Sequence, residues 1–114
     1  MSIADVERAR HAEERGAILL ALSQDYSSRM TSVRALARAL DLTGHPMRPE
    51  GLQFSLTYLA ECDYIRIWRA EELPGWRSDR MNDTRGDTIV FARLLARGLQ
   101  LIDGQVAPDP SVIF

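Results

Sequence analysis

Apolar and polar residues alternate along this chain in blocks of changing period. Ile3 to Glu14 is rich in Ala, Glu and Arg, all good helix formers, and runs without a breaker into Ala17-Ile18-Leu19-Leu20-Ala21-Leu22. The pattern predicts one long first helix. Its apolar face sharpens at Ile18, Leu19 and Leu22, so the C-terminal half packs in the core while the first turns project outward or pair with a second chain. Ser27, Ser28 and Arg29 form a polar link. Ser32 is placed to cap a second helix in which Val33, Leu36, Ala37 and Leu40 follow the i, i+3, i+4, i+7 spacing. Thr43 to Met47 is a linker, and Pro49 suits the first turn of a third helix, where a missing N–H costs nothing. On a wheel of about 100° per residue, Leu52, Leu56 and Leu59 share one side while Glu50, Gln53, Phe54, Thr57 and Glu61 cluster opposite. Asp63 follows where a left-handed residue is needed.

The period then changes to two. Ile65 and Ile67, and later Ile89 and Phe91, read as two β-strands, and the stretch between them holds the turn chemistry Pro74-Gly75, Asn82-Asp83 and Gly86. Ala92 to Ile102 reads as a closing helix ended by Gly104. Residues 105–114, with Pro108 and Pro110, carry no period and form a tail. Two short helices followed by a hairpin is the order of a winged helix-turn-helix: mostly α, with three helices, a two-stranded wing and a closing C-terminal helix. The expected organisation is a helical extension over 1–14, a single winged-helix domain over 15–104 and the tail over 105–114.

At 114 residues and 46% hydrophobic content, the chain suits one core of ordinary composition. The 14 basic residues are all arginine, and 16 acidic residues outnumber them, giving a formal charge of −2. Long-range attraction to a polyanion is therefore not expected. Cys62 stands alone, which excludes an internal disulfide and fits a reducing compartment. No apolar run approaches the roughly 20 residues that span a bilayer. The N-terminus lacks the basic-then-apolar order of a signal peptide, so a cytoplasmic protein without a membrane partner is expected.

The run Met47-Arg48-Pro49-Glu50-Gly51-Leu52-Gln53-Phe54-Ser55-Leu56-Thr57-Tyr58-Leu59-Ala60-Glu61, followed by Tyr64-Ile65, resembles the third helix and following strand of a small winged-helix family of Mu-like phages and prophages. Leu94 to Gly104 is similar to that family's closing helix, including Gly98 and Gly104. The likeness covers roughly residues 15 to 104, and the family carries a glycine where Asp63 stands. It implies a phage origin and a role in nucleic-acid binding or phage assembly. No catalytic residue comes with it.

Two binding readings follow from the residues. If the third helix enters a DNA major groove, Gln53 and Thr57 read or approach bases and Arg48 positions the helix; Arg34, Arg38, Arg69, Arg77 and Arg80 hold phosphates. Against this, residues 48 to 91 hold six arginines and eight acids, and Glu50 and Glu61 share the reading face. In the alternative, the same surface docks a phage or host protein or a second copy of the chain, through Phe54, Leu73 and Trp76, aromatic and apolar residues with arginine neighbours. A homodimer is also expected, with the first helix a candidate for its interface, although the apolar spacing there is too irregular for a coiled coil. Chemistry is not. His11 and His45 lack metal-ligand spacing, Cys62 lacks a companion, and no glycine-rich loop cradles a phosphate. No cofactor, metal or enzymatic activity is expected.

Overall fold

The computed structural model describes residues 2–24, 30–77 and 85–114. The Ser27-Ser28-Arg29 link, the Asn82-Asp83 turn and Arg80 lie outside them. Four α-helices and a three-stranded antiparallel sheet are described: α1 (Ile3–Ser23), β1 (Thr31–Ser32), α2 (Val33–Leu42), α3 (Pro49–Glu61), β2 (Ile65–Arg69), β3 (Ile89–Leu94) and α4 (Ala96–Ile102), with a single 3-10 turn at Ala70–Glu72. Strand order is β1-β3-β2, so the last strand in sequence is the central one.

Each helix begins and ends where its chemistry dictates. Ser2 and Asp5 exchange hydrogen bonds at the start of α1, and the Ser32 hydroxyl accepts the Ala35 N–H at 3.1 Å to start α2. Pro49 opens α3. The last three helices stop alike. The N–H groups of His45, Tyr64 and Gln105 reach back to the carbonyls of Leu40, Leu59 and Gln100, across left-handed residues Gly44, Asp63 and Gly104. Asp63, at φ 62°, is the one non-glycine described residue with positive φ. It takes the place that glycine usually fills, letting the chain turn from α3 straight into β2.

The core is one seam. Ile18, Leu19 and Leu22 of α1 pack with Leu36 and Leu40 of α2, with Leu52, Leu56 and Leu59 of α3, and with Ile65, Ile89, Ala92 and Leu94 of the sheet. Two expectations need correction. The sheet has three strands rather than two, because Thr31 and Ser32 run extended before the α2 cap and pair with Ala92 and Phe91. A two-residue strand is too short to leave a period-two signal. The closing helix also begins later than the apolar run suggests: Ala92 and Leu94 face the core from β3, and α4 starts only at Ala96. Gly98 explains the tight join, since a Cβ there would lie 2.4 Å from the Tyr64 carbonyl oxygen.

Residues 105–114 return to α1. Val112 is buried, the Ile113 N–H donates to the Ala12 carbonyl at 3.0 Å, and the Arg15 guanidinium donates to the Ser111 carbonyl at 3.2 Å while stacking on the Tyr58 ring. The Tyr64 hydroxyl donates to the Asp109 carboxylate at 2.7 Å. Burial, assisted by that bond and the nearby Asp109 charge, pushes the Tyr64 pKa up to about 12. Burial alone would raise the Asp109 pKa. Hydrogen bonds from Tyr64 and Ser111, helped by the Arg15 charge, overcome that and hold it below its ordinary value.

Two predictions follow from this docking. Gly16 lies directly under the tail, where a Cβ would stand 1.9 Å from the Ile113 carbonyl oxygen. Gly16→Ala is expected to cost about 1–3 kcal/mol in urea unfolding and to speed exchange of the Ile113 amide; an unchanged midpoint would remove this close approach from the fold. The second concerns pH. Because the folded pKa of Asp109 is depressed, its contribution is present above the ordinary value of 3.8 and is lost as pH falls through the lower folded value. Because that of Tyr64 is raised, its contribution is present below 10.0 and is lost as pH rises through about 12. The tail should therefore be held less tightly at acid pH, and Asp109→Asn should flatten that acid loss when tail amide exchange is followed against pH.

Candidate binding surface on α3 and the hairpin

The exposed side of α3 meets the β2–β3 hairpin along a shallow depression lined by Glu50, Gln53, Phe54, Thr57, Arg69, Arg85, Asp87 and Thr88. Its geometry starts from the end of β1. Ser32 pairs with Phe91, and the chain then turns into α2, so β1 does not reach Ile89. The Gln53 carboxamide takes over. Its Nε2–H donates to the Ile89 carbonyl and its Oε1 accepts the Ile89 N–H, both at 2.8 Å. A side chain thus supplies the donor and acceptor that another strand residue would have given, and α3 is tied to the hairpin.

The hairpin is held at its base. Between Trp68 and Arg69 the register of β2 on β3 shifts, leaving Val90 as the extra residue of a bulge. Beyond it the Ala70 N–H donates to the Thr88 carbonyl and the Glu71 N–H to that of Gly86. Arg69 donates to the Asp87 carbonyl at 2.7 Å, and its own N–H donates to the Glu72 carboxylate at 2.6 Å. Trp76 comes against Gly86, where a Cβ would meet its ring at 3.0 Å. Arg85 pairs with Asp87 at 3.5 Å, both exposed.

The residues singled out in sequence are therefore not equivalent. Gln53 is half-buried, with its amide committed inside the protein, and as such is a clamp rather than a free reader of bases. Thr57, also half-buried, donates its hydroxyl to the Gln53 carbonyl at 2.9 Å. Arg69 is engaged with the hairpin backbone. Arg77 is exposed, and Arg80 lies outside the described residues. Arg34, Arg38 and Arg48 are exposed and make no ion pair with any described residue. Phe54 is 61% exposed on the open side of α3, whereas Leu73 and Trp76 are half-buried in the hairpin. Sequence reasoning missed the role of Gln53, whose partner lies 36 residues away.

Among the described residues no group of three or more His, Cys, Asp and Glu side chains is placed to hold a metal ion, and no helix is long and apolar enough to cross a membrane. Cys62 is half-buried against the core. Comparison with protein-family profiles, with curated proteins and with solved structures finds no match to this chain.

If the Gln53 clamp sets the hairpin, Gln53→Ala should lower stability by about 1–3 kcal/mol, because both backbone groups of Ile89 lose their partners. Chemical denaturation checks the cost and amide exchange at Ile89 its location. A loss below a few tenths of a kcal/mol would show that water replaces the carboxamide freely.

Proposed function

We propose that this chain is a winged-helix module that works by docking, without chemistry of its own, through the exposed face of α3 and the adjoining hairpin. The α2–α3 pair followed by an antiparallel hairpin supports the winged-helix reading. Its resemblance to the small proteins of Mu-like phages and prophages supports a phage regulatory or assembly role. The observation that carries the docking reading is Phe54. A large aromatic side chain stands 61% exposed among charges of both signs, with Glu50 beside it and the Arg85–Asp87 pair across the depression. An apolar anchor ringed by mixed charge suits a protein partner better than a phosphate backbone.

Duplex DNA is the second reading, and Arg34, Arg38 and Arg48 favour it. They are exposed on α2 and at the start of α3, with no described acid paired to them. Titration of labelled random-sequence duplex at roughly 50 and 200 mM salt separates the two readings. Docking on protein predicts no salt-steep binding, and predicts that Phe54→Ala abolishes co-purification of a partner retained by the wild type while unfolding is unchanged. Micromolar binding that falls steeply with salt, with a slope reduced by about three in the Arg34→Ala/Arg38→Ala/Arg48→Ala variant, would replace that reading with DNA binding.

A further inference from the structure

The outward side of α1 carries a stripe that the fold of a single chain leaves exposed at every position but Ala17, which is half-buried against the core. Ile3, Val6, Arg10, Glu13, Ala17 and Leu20 follow one another at intervals of three and four residues, opposite the buried Leu19 and Leu22. Ile3 is 81% exposed, Val6 52% and Leu20 39%. Apolar surface thus stands in water at both ends of the helix, with charge between.

The order of residues in the stripe identifies what covers it. Reversed end for end, it matches itself: position 3 falls on 20, 6 on 17 and 10 on 13. We propose that α1 pairs antiparallel with α1 of a second copy about a twofold axis passing between Arg10 and Glu13. Ile3 then meets Leu20 of the second copy, Val6 meets Ala17, and Arg10 meets Glu13 twice, once on each side of the axis. A parallel pairing sets Arg10 on Arg10 and Glu13 on Glu13, which like-charge repulsion opposes.

Three observations agree with this occupant. Glu13 makes no ion pair with any described residue. Arg10 gives its Nε–H to Glu14 at 3.2 Å, which leaves its terminal N–H groups for a second carboxylate. Ala17 and Leu20, with Glu13 beside them, line a cleft bounded by His45, Ile113 and Phe114, next to the place where the antiparallel register sets Ile3 of the second copy. The contact extends over about 25 Å of helix and uses neither α3 nor the hairpin, so it goes beyond the docking reading and stands independently of it.

The test is the solution mass of the full chain over a concentration series, by sedimentation, for the wild type, Arg10→Glu, Glu13→Arg and the double exchange Arg10→Glu/Glu13→Arg. A wild-type dimer weakened at least about tenfold by each single reversal and regained in the double exchange is the expected result. Recovery in the double variant separates lost pairing from lost folding. Orientation is read separately in a Cys62→Ser background: Val6→Cys with Ala17→Cys should cross-link two chains, and Val6→Cys alone should not. A monomer at every soluble concentration, a dimer indifferent to both reversals, or cross-linking by Val6→Cys alone would each overturn the proposal. Phe54→Ala should remain dimeric, so failure here is distinguishable from failure of the α3 reading.

Discussion

The two hydrogen bonds between the Gln53 carboxamide and the backbone of Ile89 fix where the hairpin stands relative to α3. Remove them and the central strand keeps its apolar contacts but loses its only described polar tie to the helix beside it. The depression between α3 and the hairpin is a consequence of that tie, because its floor is the clamp and its rim is Phe54 on one side and Arg69, Arg85 and Asp87 on the other. A partner docked there, as proposed, would meet a surface whose helix is tied to the sheet through the Ile89 backbone, with Arg85, Asp87 and Thr88 contributed by the turn before β3. Such preorganisation lowers the ordering cost of association.

Much of this architecture was legible because it rests on local chemistry. The Ser32 cap, Pro49 at a helix start, the left-handed Asp63 and the terminating Gly104 each act within a few residues, and each stands where the sequence pattern puts it. The inward Ile18, Leu19 and Leu22 and the outward Phe54 follow from helical phase alone. What remained hidden depends on partners distant in the chain. A two-residue β1 has no period, Gln53 looks like any polar residue on an outward face, and Gly16 shows no sign of the Ile113 backbone pressed against it. Leu94 was ambiguous for another reason: an apolar residue at the junction of a strand and a helix satisfies both periods.

Charge follows the same division. The count of arginines and acids between residues 48 and 91 is a property of sequence, but which arginines remain available is a property of the fold. Arg69 serves the hairpin, Arg15 serves the returning tail, and Arg66 lies over Trp68 at 4.6 Å. Arg34, Arg38 and Arg48 do none of this. Among the described residues, α2 and the start of α3 thus carry arginines that no described acid pairs, a smaller cationic surface than the composition suggests.

The position of β3 bears on how the chain acquires its structure during synthesis. It is the central strand, it supplies Ile89, Ala92 and Leu94 to the core, and it is nearly the last element in sequence. A growing chain emerging N-terminus first can wind α1, α2 and α3 early, but neither β1 nor β2 has a strand to pair with until residue 94 is made. Until then the apolar faces of three helices have no sheet to cover them. Folding therefore closes over long sequence separations, and the nascent chain stays exposed to aggregation or to chaperone capture until β3 has been made.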